Sequence, residues 1–371
     1  MNKKVAILFF IFLALSFNKG YPKEYFYSKN KDVKFIKSDF SKLKEWEIEE
    51  YKYALDAFLL SCSKFESLPN SYNIMQQTTY KITKKDFARV CEIANSIKDA
   101  NNNILRIFFE NYFTPFSIYD NRNKTDIGYF TGYYLPEINV SFIKNDVYKY
   151  PIYARPKNLS YTRKEINNGA LNGKGLELLY TDDPIELFFL HIQGSGFGRI
   201  EETGEVISII FDGKNIYEYT SIGKYLRERR LLTGDLSSKG IKQYLNNNFD
   251  NLDKILENNR SYIFFKLGDK DEIIGSQGVT LNSLVSLAVD TSLIPLGFPI
   301  WLETTITLPD EKIEFDRLMI SQDTGSAIKG AIRGDIFFGG GKEAEEIASY
   351  QYGKGKYFIL IPNNIADKLV K

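Results

Sequence analysis

The chain reads as mainly β: a small closed barrel, interrupted by an insertion and preceded by a helical segment. Three observations predict this. Apolar residues recur at helical intervals between about 38 and 112, whereas from about 272 they come in short runs broken by Gly and Pro. A first β-rich stretch opens near 127, well before that final set of strands. Between the two lies a block, about 141 to 267, mixing short strands with capped helices, as expected of a barrel whose chain is interrupted.

Taken in order, the first element is a leader. Lys3 and Lys4 precede the apolar run Val5 to Phe17, which is short for a bilayer span and right for a signal-peptide core. A signal peptide over 1–20 is expected, with cleavage near Asn18 to Gly20, although the small-x-small consensus is missing and an uncleaved anchor stays open. No cysteine lies nearby to carry a lipid, so the expected location is exported, periplasmic or cell-wall associated.

The helical segment follows. In "YALDAFLLSCSKF" the residues Leu55, Phe58, Leu59, Cys62 and Phe65 fall on one face. "TKKDFARVCEIANSI" opens with a Thr83-x-x-Asp86 capping box and turns Phe87, Val90, Cys91 and Ala94 inward. Cys62 and Cys91, the chain's two cysteines, would meet in the seam of a helical hairpin, as a disulfide in an oxidising compartment or as two free core thiols. Pro115 is expected to end the helices, with strands starting at "IGYFTGYYLPEI".

In the mixed block, Thr162-x-x-Glu165 and Asp183-Pro184 mark helix starts, and "YTSIGKYLRERRLL" through "IKQYLNNNFDNLDKILENN" reads as further helix. The closing strands are "VSLAVD", "PIWLET", "DRLMISQD", "DIFFG" and "YFILIP". The predicted division is a barrel domain from 21–140 plus 268–371 and an inserted β-rich domain over 141–267.

Composition narrows the function. With 48 basic and 47 acidic residues the formal charge is +1, which leaves no electrostatic footprint for nucleic acid. A single histidine, His191, rules out a His-based metal cluster and ties any Ser-His-Asp relay to residue 191. The 25 Tyr and 28 Phe suit a carbohydrate groove but equally suit β-structure.

Four motifs carry chemistry. "DTGS" at 323–326 resembles the turn around an aspartic-protease carboxylate, but it occurs once, so a dyad would need a homodimer. "HIQGSGFGRI" lacks the first glycine of a nucleophile elbow and the spacing of a dinucleotide fingerprint. If extended it would put His191, Gln193 and Ser195 on one face; otherwise it is a tight glycine turn offering polar groups to a ligand. In "YFTGYYLPEI" Tyr133 and Tyr134 face opposite sides of a strand, one to the core and one free for a sugar ring. Finally Asp290, Asp323 and Asp335 stand at strand ends in one barrel. Two of them would hold turns through backbone N–H groups, and the third, poorly solvated, would have a raised pKa and act as an acid.

These residues carry a resemblance. "GYFTGYYLPEI", "YPIYARPKNL", "INNGALNGKGLEL", "DPIELFFLHIQGSG", "YTSIGKYLRERRLL", "LAVDTSLIPLGFPIWLE" and "LMISQDTGSAIKGAIRGDIFFGGGKEAEEIA" run in the order found in the membrane-bound lytic murein transglycosylase A family, from about residue 50 to the end. The last two blocks also match the three-aspartate module of that superfamily at Asp290, Asp323 and Asp335. The resemblance implies a double-psi β-barrel (barwin-like), a smaller inserted β-domain, and a long groove between them. It implies a peptidoglycan-cleaving enzyme that breaks the β-1,4 bond between N-acetylmuramic acid and N-acetylglucosamine and leaves 1,6-anhydromuramoyl ends.

By the same matching Asp335 would be the catalytic acid with Asp323 in support, while Thr131, Tyr133, Gln193, Ser195, Asp290 and Lys329 would contact substrate. Lys329 would otherwise neutralise a neighbouring Asp or lie on a solvated turn. No cofactor and no metal are implied; the expected partners are peptidoglycan glycan strands and wall-synthesis proteins, with no nucleic acid, and the chain would be a monomer. The departures are the absent lipidation cysteine, Ser326 where a second glycine is usual, and His191 where another polar residue is common, so His191 gets no catalytic role. The alternatives are a non-catalytic wall-glycan-binding protein and, more remotely, a homodimeric aspartic protease using the D-T-G at 323.

Overall fold

The computed structural model describes residues 24–268, 273–308 and 310–370. The signal peptide expected over 1–20 lies outside these residues.

The chain opens with two short strands, β1 (Tyr25–Tyr27) and β2 (Val33–Lys37). Three helices follow: α1 (Tyr51–Ser67), α2 (Lys84–Ser96) and α3 (Asn102–Tyr112). Strands β3 (Phe113–Asp120) and β4 (Gly128–Leu135) lead to the second sheet. That sheet uses β5 (Glu137–Ser141), β6 (Tyr150–Tyr153), β7 (Glu177–Thr181), β8 (Gly196–Ile200), β9 (Val206–Lys214) and β10 (Ile263–Gly268). Helices α4 (Arg163–Asn167), α5 (Pro184–Gln193), α6 (Ile222–Glu228), α7 (Ser238–Asn247) and α8 (Leu252–Leu256) connect its strands. The chain then returns through β11 (Ser286–Val289), β12 (Pro299–Thr307), β13 (Lys312–Asp323), β14 (Arg333–Gly340), α9 (Lys342–Tyr350), β15 (Tyr352–Pro362) and α10 (Asn363–Leu369).

The strand order of the larger sheet is β1-β2-β3-β15-β12-β13-β11-β14-β4, and β15 also pairs with β4. The last six of these strands therefore close on themselves, with β11–β13 and β14–β4 parallel and the other pairs antiparallel. This is the double-psi β-barrel expected above. Closure leaves the six strands without a free edge. On the two faces of the barrel wall Trp301, Leu302, Ile320, Ile336, Ile359 and Leu360 are all fully buried.

The smaller sheet runs β10-β9-β8-β5-β7-β6 and is entered from β4 and left before β11. Its helix α5 is apolar on nearly every side. Leu187 and Leu190 pack on the sheet, while Ile185, Phe188 and Phe189 pack on α6, α7 and α8. A helix with no polar face is one sandwiched between layers. The helix starts expected from sequence are both present: Asp183 accepts from Ile185 N–H at 2.7 Å, and Thr162 N–H donates to Glu165 at 2.7 Å.

At the N-terminus the structure departs from the expectation of helix over 38–112. Residues 38–50 form only single 3-10 turns, and the stretch between α1 and α2 is irregular. The helices do end at Tyr112, near Pro115 as expected, but Pro115 itself lies inside a strand that was not expected, β3, which begins at Phe113. The register explains how. On the β2 side pairing stops at Lys37↔Phe116, so Pro115 faces the end of its neighbour, where a missing N–H breaks no ladder. Between α1 and α2, Cys62 and Cys91 form a disulfide with Cα atoms 5.6 Å apart.

Candidate active site

Two barrel strands carry the acids, and two more complete their row. Across β13, β11, β14 and β4 the residues Asp323, Ala288, Asp335 and Thr131 stand in one row, paired Ala288↔Asp323, Ala288↔Asp335 and Asp335↔Thr131. Residues opposite one another in a ladder point to the same face. Asp323 owes its place to a bulge: the β11–β13 register skips from Leu287↔Ser321 to Ala288↔Asp323 and leaves Gln322 unpaired. Gln322 is fully buried behind the barrel wall. It accepts from Ser286 Oγ at 2.7 Å and donates to Ala57 O on α1 at 2.8 Å. One strand separates the two acids, so their backbones lie roughly 10 Å apart at about 4.8 Å per strand spacing.

Asp335 is half-buried at the floor of a cavity of about 1010 Å³ between the barrel and the smaller sheet. Its Oδ1 accepts from the Thr131 hydroxyl, which in turn accepts from Arg333 Nη2 at 2.7 Å. Burial pushes the carboxyl up to about 6, and the nearby Asp323 charge adds to this; Arg333 and the Thr131 hydroxyl oppose it. Burial therefore wins. Asp323 is saturated with donors instead: Ser276 N–H (2.9 Å) and Oγ (2.7 Å), Thr324 N–H (2.8 Å) and Tyr133 OH (3.0 Å). Four donors suit an ionised carboxylate.

Of the other residues expected to touch substrate, Tyr133, Gln193 and Ser195 line the cavity. Tyr134 turns the other way and donates to Glu345 at 3.0 Å. Between Thr131 and Tyr133, Gly132 sits so close to Phe338 that an added Cβ would lie 2.3 Å from its ring. Gln193 accepts from Tyr134 N–H at 3.3 Å, linking the smaller sheet's helix to the barrel wall, and Ser195 Oγ accepts from Phe211 N–H at 3.0 Å.

Three expected contacts are not in the cavity lining: Thr131, whose hydroxyl donates to Asp335, and Asp290 and Lys329. Asp290 is 4% exposed and holds turns, accepting from Ser292 N–H (3.1 Å), Ser292 Oγ (2.7 Å) and Gly330 N–H (2.9 Å). Its carboxylate is used up by the turn after its own strand and the one before β14. Lys329 is exposed, outside the cavity lining and in no ion pair among the described residues, so its ammonium is left to water.

The extended form of "HIQGSG" is also absent. His191 and Gln193 close α5, and Gly194, at φ 86°, ends the helix by donating to Leu190 O at 2.8 Å. His191 faces Arg163, at 3.1 Å, and makes no bond to Ser195. Sequence reasoning missed Arg333 and Ser276. Arg333 was within reach, because two residues before Asp335 on a strand means the same face. Ser276 comes from a loop far from the acids in sequence and left no local signal. Among the described residues no group of three His, Cys, Asp or Glu side chains is placed to hold a metal ion.

Comparison with known proteins gives a consistent family. A family model described as "MltA specific insert domain" matches residues 129–266, and a "3D domain" model matches 285–360. A membrane-bound lytic murein transglycosylase A of Vibrio cholerae is 39% identical over 207 residues, 54% of this chain and 56% of its own length. The matched stretch thus spans little more than half of that relative. Among solved structures, a membrane-bound lytic murein transglycosylase from Agrobacterium tumefaciens superposes with a TM-score of 0.79 at 29% identity, over 90% of this chain and 99% of its own. A lytic transglycosylase, LtgG, of Burkholderia pseudomallei is 32% identical over 89% of this chain and 95% of its own, with a TM-score of 0.59.

Proposed function

Because the chain belongs to the membrane-bound lytic murein transglycosylase A family, we propose that it cuts peptidoglycan strands with Asp335 as a single acid and base. The observation that carries this is the carboxyl pushed up to about 6 at the floor of a cavity of about 1010 Å³.

The steps follow from that group. Protonated Asp335 donates to the glycosidic oxygen as the bond from C1 of the N-acetylmuramoyl residue to N-acetylglucosamine breaks. The resulting carboxylate takes the proton of the same muramoyl residue's C6 hydroxyl, whose oxygen bonds to C1. One proton leaves Asp335 and one returns; no water is consumed, and the product ends in a 1,6-anhydro ring. The internal nucleophile avoids the entropy of placing a water. General acid–base transfers of this kind are worth on the order of 10²- to 10⁴-fold each and work best with a pKa near ambient pH. Most glycosidases use two carboxyls, about 5 to 9.5 Å apart. Here Asp323, one strand away and fixed by four donors, serves to stabilise the positive charge developing at C1 and to orient Tyr133. Gln193 and Ser195 would bond the strand from the opposite wall.

In this reading the barrel, 21–140 with 268–371, supplies the chemistry, and the insert, 141–267, forms the far wall. The enzyme works in the cell envelope, exported and periplasmic or wall-associated. Among the described residues no helix is long and apolar enough to cross a membrane.

Asp335→Asn should leave a folded protein whose release of anhydromuropeptides from purified sacculi falls by at least two orders of magnitude. Retained release would remove Asp335 from its role. Because the first step needs the protonated form, kcat/KM should fall tenfold per pH unit above about 6. A profile flat from pH 5 to 8 would contradict it.

A further inference from the structure

The charges lining the cavity are divided by wall. Its two acids, Asp323 and Asp335, stand on the barrel; its cations, Arg163, Lys214 and Lys266, all stand on the insert. Arg163 is 3% exposed, yet among the described residues no carboxylate pairs with it. Its Nε and Nη2 donate to the carbonyls of Asn259 (3.0 Å) and Ser261 (2.7 Å), and its guanidinium lies 4.8 Å from the centre of the Phe188 ring and 5.0 Å from that of Tyr262. Carbonyls and ring faces ease the burial but leave the net charge unanswered, and a buried charge without a counter-ion is costly.

The third donor reaches His191 Nδ1 at 3.1 Å. A guanidinium can only donate, so Nδ1 must accept, and the imidazole's proton sits on Nε2. That Nε2 is buried and has no partner. Burial and the adjacent guanidinium both hold the ring neutral, so the tautomer is fixed. An unpaired cation and an unpaired N–H donor thus share one corner of the wall facing the acids. Lys214 has only the exposed Glu218, at 3.8 Å, as an ionic neighbour among the described residues.

We propose that the insert wall reads carboxylates: the Arg163–His191 corner, with Lys214 and Lys266, takes the acidic peptide arm carried by the muramoyl residues of the strand being cut. This rests on the murein reading above and deepens it, since a strand without peptide offers that wall only the lactyl carboxylate on each muramoyl ring, short of the peptide's own acids. The walls then sort the substrate, with the neutral sugar backbone against the acids and the anionic arm against the cations.

The test compares kcat/KM of the full chain on glycan strands bearing peptides and on the same strands stripped by an amidase, with the freed lactyl carboxyls capped as amides. The wild type should prefer the peptide-bearing strands by roughly tenfold or more, the worth of one charge-assisted hydrogen bond. Arg163→Gln should abolish that preference while leaving the rate on stripped strands unchanged. Should this buried variant fail to fold, Lys214→Gln with Lys266→Gln, on the solvent side, should at least halve the preference. Equal wild-type rates on both strands, or a parallel loss on both in the variants, would overturn the proposal. Wild-type inactivity on both would instead sink the parent reading. Anisotropy of labelled peptide-bearing and stripped oligomers on Asp335→Asn protein would then still decide the wall, with equal affinity counting against it.

Discussion

Asp335 is a carboxyl placed where its charged form is disfavoured, and that has a consequence for stability as well as chemistry. Its folded pKa, about 6, lies above the ordinary 3.8, so the folded state holds its proton more tightly than the unfolded chain. The contribution is fully present below about pH 3.8 and is lost as pH rises through about 6. About two pH units at 1.36 kcal/mol each makes the ionised group a liability of up to about 3 kcal/mol at neutral pH. Asp335→Asn should therefore raise the thermal midpoint at pH 7.5 and leave it unchanged at pH 4, measured by calorimetry. An equal shift at both values would show that the gain is not electrostatic. The sequence shows three acids at strand ends but not what surrounds each. Asp290 was expected in the groove and is consumed by two turns; Lys329 was left open between a substrate contact, an Asp partner and a solvated turn, and it lies exposed. Side-chain direction at a strand end depends on turns and bulges that periodicity does not encode.

At the level of elements, strand existence was legible and strand limits less so. The five closing strands stand where Gly and Pro punctuate apolar runs, because buried barrel strands read as short continuous stretches. β3 was not legible, since strands were expected only from about 127, and only the register with β2 shows why Pro115 is tolerated in it. The bulge at Gln322 was not legible either; it depends on α1, whose Ala57 carbonyl receives the displaced amide. The disulfide between α1 and α2 tests this helical layer. Closing a loop of 29 residues in sequence separation is worth about 3 to 4 kcal/mol by loop entropy. Cys62→Ala with Cys91→Ala should lower stability by that order in urea unfolding while keeping murein cleavage, since the layer lies behind the barrel. Loss of activity without loss of stability would mean the layer shapes the groove directly.

At the scale of the whole molecule two sheets face each other across one cavity, and contacts between them are few and specific. Lys242 on α7 bridges Glu186 on α5 (2.7 Å) and Glu345 on α9 (2.5 Å), and Gln193 meets the backbone of β4. The interrupted order of helix and strand in the sequence indicated one barrel with an insertion, but nothing local showed that the insert's cations would face the barrel's acids. That arrangement exists only once the chain has closed. It also sets what the cavity excludes. A single acid suffices only if no water attacks C1. The most direct measurement is to digest sacculi in heavy-oxygen water and identify the sugar ends by mass spectrometry. Anhydromuramoyl ends free of solvent label are the predicted result; labelled reducing ends would contradict it.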